Sequence, residues 1–308
     1  MSMTTPKVQV LVTTYNQQAF IIQALESIVA QRTNFPFGII ISDDGSSDDT
    51  HQLAQQFAHA HPDQVQLLPR ISNHGRFHNL ARLMQAATSP YLALCAGDDY
   101  WCHPDKLQCQ ADFLDCQSGF SICYTRYRVL SDRLGPPLPK RWQMLTQATS
   151  SRRDFLRSWP PASSSMFFRR SSFRHFPYAD CQYLEDIHLA YQSLCHGRGR
   201  TLDLVGTVYR VHQHNLHASK SQLEQNLNNQ PVFAELHRLF PDDQALARRF
   251  QHLTFDLARH FYHCGDATQA QFFLQQLVSD SPAFFLTCPY VYYALPLRFL
   301  IQQSKQLQ

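Results

Sequence analysis

Hydrophobic residues in the first 125 positions alternate between two spacings. Short continuous apolar runs, typical of buried strands, occupy positions 8–13, 37–42, 65–68 and 91–95. Between these runs, apolar residues recur at helical spacing, as in Ile21, Leu25 and Ile28. Strands that alternate with helices and are rich in Val and Ile predict a parallel sheet covered by helices on both faces.

The pattern changes twice after position 120. Residues 120–215 combine strand-like segments at 120–130 and 163–170 with a helix that Gly197 should end. Residues 216–279 have a polar-apolar helical pattern without strand signals. We therefore expect an α/β domain over 1–215 and a helical C-terminal region over 216–308.

Composition and charge exclude some classes of protein. The chain of 308 residues is 44% hydrophobic with a formal net charge of +3, and its Lys and Arg form no dense stripe, so we expect no nucleic-acid partner. Nine cysteines without a C-x-x-C motif favour free thiols in a reducing compartment. The N-terminus has no long apolar core and the chain no apolar run of about 20 residues, which predicts a cytoplasmic protein.

The aromatic tail at 280–303 is interrupted by Pro289 and Pro296. It could lie on the inner face of the membrane as a peripheral contact, or against a second copy of the chain. Packing onto the chain's own domain is the alternative.

Polar segments follow three of the predicted strands. These segments read "TTYN", "DDGSSDD" and "AGDDYW", at positions 13–16, 43–49 and 96–101. Because ligands bind outside the carboxyl ends of strands in open parallel sheets, the three segments should converge on one crevice. The sequence thus predicts one binding site at this edge.

The same segments carry a resemblance to a known family. "VLVTTYNQQAFIIQALESIVAQ", "IIISDDGSSDDT" and "NHGRFHNLARLMQAATSPYLALCAGDDYWCHPDKL" resemble family 2 glycosyltransferases. The resemblance is strong over 7–110, weaker to 215 and absent beyond. It implies a GT-A fold, with a mostly parallel central sheet flanked by helices, a nucleotide-binding half at 7–110, an acceptor half at 111–215 and a C-terminal helical extension.

The resemblance implies an inverting transferase that moves a sugar from a nucleoside diphosphate, UDP most readily, to an acceptor hydroxyl. Acceptors in such families are often glycans or lipid-linked intermediates of cell-envelope polysaccharide synthesis. Mg²⁺ or Mn²⁺ would neutralise the leaving diphosphate. Asp99 matches the direct metal ligand, Asp98 lies toward the ribose or a metal-bound water, and His212 is a candidate third ligand. The alternative is an acidic turn that merely closes the strand.

The nucleotide should be bound by the loops that follow the early strands. Resemblance implies that Tyr15 stacks on the base, Thr13 contacts the nucleotide and Asp43 accepts a hydrogen bond from the base, with Asp44 supporting that loop. The remaining candidates for nucleotide contact are Asn16, Asn73, Gly75, Arg76 and Asn79. A solvated arginine is the alternative for Arg76.

Sugar transfer also needs a general base for the acceptor hydroxyl. Asp186, within "YLEDIH", matches the family's base, with Glu185 as its substitute, although a carboxylate at a helix start can instead serve as a cap. Trp101 and Arg210 are candidates for contact with the sugar, the acceptor or the diphosphate, and packing is the alternative for Trp101.

Two other functions fit parts of the pattern. A catalytically inactive nucleotide-binding scaffold, with a helical C-terminus that recruits partners, would keep the site without the reaction. A dinucleotide-dependent oxidoreductase would need G-x-G-x-x-G after the first strand, and "TTYNQQ" contains no glycine.

Overall fold

The structure, a computed structural model, describes residues 6–131, 149–157, 162–212 and 220–280. The chain forms two compact units, 1–215 and 216–308. The first unit contains strands β1 (Val8–Thr14), β2 (Phe37–Asp43), β3 (Val65–Leu67), β4 (Tyr91–Ala96), β5 (Tyr100–Trp101), β6 (Phe120–Ser131), β7 (Thr149–Ser150), β8 (Phe167–Arg169) and β9 (Arg198–Val211). Its helices are α1 (Ile21–Val29), α2 (Thr50–Ala60), α3 (Arg76–Ala86), α4 (Lys106–Cys116), α5 (Arg152–Arg157) and α6 (Asp186–His196).

The strands form one sheet in the order β3-β2-β1-β4-β8-β6-β9-β5, with β7 paired to β9. The four strands predicted first, β1 to β4, run parallel as expected. β8 inserts antiparallel between β4 and β6, so the sheet is mixed. The strand expected over 163–170 is shorter than predicted, because Ser163–Ser165 form a 3₁₀ turn before β8 begins at Phe167.

Apolar spacing determines which faces are buried. Ile21, Leu25 and Ile28 of α1 are fully buried, and they pack with Val10 and Val12 of β1 in one hydrophobic core. The N-cap residue of α2 is Asp49, whose side chain makes no capping hydrogen bond. Asp48 nevertheless accepts a hydrogen bond from the Thr50 N–H at 3.0 Å, so it still satisfies a free donor of the first turn.

A lysine lies in this core. Lys106 has no exposed surface, and burial lowers its pKa to about 7. Its Nζ donates to Gln110 Oε1 at 2.8 Å and lies 4.0 Å from the centre of the Trp101 ring. The ring and the amide together replace the hydration that the amine loses.

The second unit is helical in its described part. It contains α7 (Gln222–Leu239), α8 (Gln244–His263) and α9 (Ala267–Asp280), whose cluster of buried side chains includes Phe255, Phe273 and Leu277. No helix in the described ranges is both long and apolar enough to cross a bilayer. A contact with the membrane or with a second copy of the chain is expected at 280–303. Apart from residue 280, this segment lies outside the described residues.

Candidate active site

The carboxyl ends of β1, β2 and β4 lie side by side, and their loops meet there. Thr13 pairs with Ser42 of β2 and with Ala96 of β4. The Gly97 N–H donates to the Thr13 carbonyl at 2.9 Å, and the Asp44 N–H donates to the Thr14 carbonyl at 3.0 Å. The three polar segments of the sequence therefore border one crevice.

Gly97 allows the chain to turn sharply after β4. A Cβ at this position would lie 2.5 Å from Gln17 Oε1 and 2.9 Å from Thr14 Oγ1. A larger residue here would displace these two side chains, which hydrogen-bond to each other. The turn places Asp98 and Asp99 next to each other but in different surroundings.

Asp99 is buried and bonded on both carboxylate oxygens. Its side chain accepts from Ser164 Oγ at 2.6 Å and from the Arg210 N–H at 3.0 Å, and the residue is 2% exposed. Burial, and then the neighbouring Asp98 charge, raise the pKa of Asp99 above its usual range, while the two donors oppose the rise. These contacts join the turn to the 3₁₀ segment at 163–165 and to β9.

Asp98 instead faces His212. Its Oδ2 lies 3.1 Å from His212 Nε2, and the two side chains keep 14% and 10% of their surfaces exposed. The Phe20 ring packs against His212 with 4.9 Å between ring centres. A carboxylate and an imidazole thus lie together at the rim of the crevice, beside the ends of β4 and β9.

The two carboxylates that end β2 also differ. Asp43 is 1% exposed and accepts from Ser46 N–H at 3.2 Å and from the Ser46 hydroxyl, and its Oδ2 lies 3.2 Å from His51 Nδ1. Asp44 accepts from the His74 N–H at 3.0 Å through Oδ1, and its other oxygen bonds to nothing in the described ranges. Asp43 therefore holds the loop in shape, whereas Asp44 has a free acceptor.

The β1 loop presents its side chains to solvent. Tyr15 is 45% exposed, and Thr13 is partly buried. Asn16 has a φ of 50°, and its Oδ1 accepts from the Ser47 N–H at 2.8 Å. Asn16 thus joins the first two loops, and Tyr15 offers a ring beside them.

The segment before α3 crosses the second loop at Gly45. Gly45 has a φ of 72°, and a Cβ there would lie 2.7 Å from the Asn73 N and 2.8 Å from the Ile71 carbonyl oxygen. Asn73 Oδ1 accepts from the Gly75 N–H at 3.0 Å, and Gly75 has a φ of 91°. Asn79 is 2% exposed, and its amide donates to the Ser42 carbonyl at 2.9 Å, so it braces the strand ends instead of reaching the crevice.

An alanine with left-handed backbone angles costs roughly 1–3 kcal/mol of folding free energy. Replacing Gly45 by Ala should lower the free energy of unfolding by more than this, because the new methyl group also meets backbone atoms. Gly265→Ala is the matched control, since its φ of 80° is also positive but nothing lies within 4 Å of the added Cβ. Urea unfolding of both variants measures the difference. Equal losses of stability would contradict the close approach at Gly45.

An ion pair connects the third loop to α6. Arg76 Nε and Nη2 both lie 2.7 Å from Glu185 Oε1, with 33% and 14% of the two side chains exposed. The next residue, Asp186, begins α6 and is partly buried. Burial, with a further contribution from the Glu185 charge, raises the pKa of Asp186 to about 7, and Arg76 opposes the rise.

Two side chains expected to contact the sugar or acceptor have other partners. Trp101 is 4% exposed, and its Nε1 donates to the Ser164 carbonyl at 2.9 Å, which favours the packing alternative. Arg210 is 6% exposed, its Nη2 donates to Gln23 Oε1 at 2.6 Å, and its guanidinium lies 4.7 Å from the Phe20 ring centre. Both residues build the wall behind Asp99 rather than the open crevice.

Ser164 is a residue that the sequence reasoning missed. Its Oγ donates to Asp99 and accepts from the Ala96 N–H at 3.0 Å, while its carbonyl accepts from Trp101 and, at 3.0 Å, from Thr207. The run "SSS" at 163–165 gives no local signal for this role, because Asp99 is 65 positions away. Ser164 fixes the Asp98-Asp99 turn from the far side of the sheet.

Replacing Ser164 by Ala should lower the free energy of unfolding by about 1–3 kcal/mol, since Asp99 loses a buried donor and Ala96 a buried acceptor. Ser163→Ala, one position earlier and partly buried, should change it little. Thermal and urea unfolding test both variants. A Ser164→Ala protein as stable as its control would show that these bonds do not hold the turn.

Comparison with known proteins places this chain in a family. The model for "Glycosyl transferase family 2" matches residues 9–176. The uncharacterized protein Rv1520 of Mycobacterium tuberculosis is 32% identical over 207 residues, which are 66% of this chain and 58% of that protein. The match thus spans less than two thirds of this relative's length.

Two solved structures share the fold. TarS residues 1–349 of S. aureus in complex with UDP-GlcNAc align with a TM-score of 0.64 at 18% identity, covering 98% of this chain and 92% of that one. The mannosyltransferase PcManGT of Pyrobaculum calidifontis, in complex with GDP-Man and Mn²⁺, aligns with a TM-score of 0.58 at 19% identity, covering 99% and 81%. The GT-A fold predicted from the sequence is confirmed, and the chain belongs to glycosyl transferase family 2.

Proposed function

We propose that this protein transfers a sugar from a nucleoside diphosphate to an acceptor hydroxyl, with inversion at the sugar carbon. The observation that carries the proposal is the convergence of the three polar loops at the carboxyl edge of the sheet. The Asp98–His212 pair stands at one side of the sheet's carboxyl edge, and the Arg76–Glu185 ion pair ties the third loop of that edge to the start of α6, where Asp186 lies. Family membership supports the same reaction class.

The donor set at Asp98 fits a divalent cation. Asp98 and His212 supply an oxygen and a nitrogen ligand at the rim of the crevice, and no group of three or more potential ligand side chains occurs in the described ranges. Mg²⁺ and Mn²⁺ are commonly held by one or two protein ligands together with substrate phosphates, and an imidazole favours Mn²⁺. When bound, the cation would neutralise the charge that develops on the leaving diphosphate.

The geometry favours Asp98 over Asp99 as the direct metal ligand, which reverses the expectation from resemblance. Both oxygens of Asp99 already accept hydrogen bonds from Ser164 and Arg210. In our proposal Asp99 positions the turn, and Asp98 and His212 hold the cation.

The nucleotide would lie along the first three loops. Tyr15 offers an exposed ring for stacking, and Asp44 has a free carboxylate oxygen for the base. Thr13, Asn16, Asn73 and Gly75 shape the loops beside it. We favour UDP as the carrier, as in the donor bound to TarS, with GDP as the alternative that PcManGT represents.

Asp186 would act as the general base. Its raised pKa makes the carboxylate a stronger proton acceptor than an ordinary aspartate, and the ion pair with Arg76 holds the adjacent Glu185 in place.

We further propose that the acceptor is a glycan or a lipid-linked intermediate of cell-envelope polysaccharide synthesis. In that setting the enzyme would work in the cytoplasm or peripherally on the inner face of the membrane.

A panel of UDP-, GDP- and dTDP-sugars, with and without Mn²⁺, tests the proposal by thermal shift and by release of the nucleoside diphosphate. Stabilisation by one nucleotide class that depends on Mn²⁺, together with turnover, is the expected result. Nucleotide binding without transfer to any acceptor would favour the inactive scaffold. If no nucleotide stabilises the fold, the proposed site is wrong.

A further inference from the structure

A cavity of about 430 Å³ lies at the opposite end of the sheet from the crevice. It opens at Tyr91, the first residue of β4, whereas Asp98 follows the last residue of that strand. Strand geometry separates the two ends of β4 by about 16 Å. The cavity is therefore distinct from the proposed donor site.

The polar side of this cavity is cationic. Three arginines line it, Arg169, Arg170 and Arg174, and its lining contains no carboxylate. Arg169 is fixed in place, since its Nε donates to the Phe120 carbonyl at 2.8 Å and its guanidinium also bonds Tyr91 Oη at 3.2 Å. Arg170 and Arg174 are exposed and form no ion pair within the described parts of the chain. Two guanidinium groups thus remain available to an anion.

The other side of the cavity is apolar. Among the apolar lining residues, Pro90 is exposed and Tyr178 is partly exposed, so both offer surface to a ligand. Three others, Met84, Leu92 and Phe173, are almost fully buried. The volume exceeds that of a single phosphate ion and falls in the usual range of small-molecule sites, about 300–1,000 Å³. The cavity therefore suits a ligand that has an anionic group and an apolar group attached to it.

We propose that this cavity binds a phosphate ester that carries an apolar substituent. Arg170 and Arg174 bind the phosphate, because guanidinium groups match its oxygens in paired hydrogen bonds. Pro90 and Tyr178 receive the apolar substituent. Such an ester can come from an acidic lipid headgroup or from a soluble phosphorylated compound. The site does not depend on the proposed sugar transfer.

Calorimetric titration of the full chain with three probes tests this inference. The probes are dihexanoyl phosphatidylglycerol below its critical micelle concentration, phenyl phosphate and inorganic phosphate. Arg170→Ser combined with Arg174→Ser should weaken binding about tenfold or more, because each loses a charge-assisted hydrogen bond. The control, Arg153→Ser combined with Arg248→Ser, removes two exposed arginines elsewhere and should bind like the wild type.

The pattern across the probes distinguishes the sources. Preference for the lipid, with binding to phosphatidylglycerol vesicles but not phosphatidylcholine vesicles, supports a headgroup. Equal binding of phenyl phosphate supports a soluble ester. Inorganic phosphate that binds as tightly as either ester would show that the substituent contributes nothing and would overturn the proposal. If the control double variant loses as much affinity as the Arg170→Ser and Arg174→Ser double variant, the loss reflects the overall positive charge of the protein, and the proposal is overturned. Absence of binding by all three probes would overturn it as well.

Discussion

Asp186→Asn should lower the rate of sugar transfer by about 100-fold to 10,000-fold while donor binding persists, because a general base contributes on that scale. Asn is nearly isosteric with Asp and cannot accept the proton. Asp180→Asn removes an exposed carboxylate six positions earlier and is the matched control. Steady-state kinetics with the donor identified by the nucleotide panel measure both variants.

The pH profile gives a second readout of the same residue. A base must be ionised to act, so with a pKa of about 7 the wild-type rate should fall as the pH decreases below about 7. Glu185→Gln removes the neighbouring charge that raises this pKa and leaves Arg76, which lowers it. The acid limb of Glu185→Gln should therefore move to lower pH. An unchanged limb, or full activity in Asp186→Asn, would assign the proton transfer to another group.

Asp98→Asn should reduce Mn²⁺-dependent transfer by at least about 100-fold without loss of stability, because a metal ligand is removed at a partly exposed position. Mn²⁺ should also no longer raise the melting temperature in the presence of the nucleoside diphosphate. His212→Ala should show the same two losses, since its Nε2 lies 3.1 Å from the Asp98 carboxylate.

Asp99→Ala provides the contrast. It leaves the Ser164 hydroxyl and the Arg210 N–H without their buried acceptor, so the free energy of unfolding should fall by about 1–3 kcal/mol for each group. Urea unfolding separates this structural loss from a loss of metal binding. One pair of results would instead assign the metal to Asp99. In that case Asp99→Ala would be fully stable but no longer bind Mn²⁺, and Asp98→Asn would still bind it.

Local sequence predicted the parts of the fold that depend on neighbouring residues. Continuous apolar runs marked β1 to β4, since a strand buried on both faces admits few polar side chains. Gly97 marked the turn after β4, and Gly197 follows the last residue of α6. Parallel pairing then required that the three polar loops meet, because the strands end at one edge.

Contacts between distant segments determine which of the candidate site residues are buried and which groups they bond. Nothing near Asp99 in sequence indicates that Ser164 and Arg210, 65 and 111 positions away, occupy both of its oxygens. Trp101 looked available for a sugar, yet a buried lysine and the Ser164 carbonyl hold it in the core. When two carboxylates are adjacent, sequence spacing cannot show which of them will be buried. The β8 and β9 segments that cover one of them lie much later in the chain.

The sequence alone determined the family resemblance, the positions of the first four strands along the chain and the edge at which a ligand should bind. Tertiary structure alone decided which of the neighbouring carboxylates, Asp98 or Asp99, faces the crevice, and it brought three arginines to a cavity at the other end of the sheet. The physical reason is common to both outcomes. Strand and turn formation follow from short-range periodicity, whereas burial and charge environment depend on which distant segments pack against a residue.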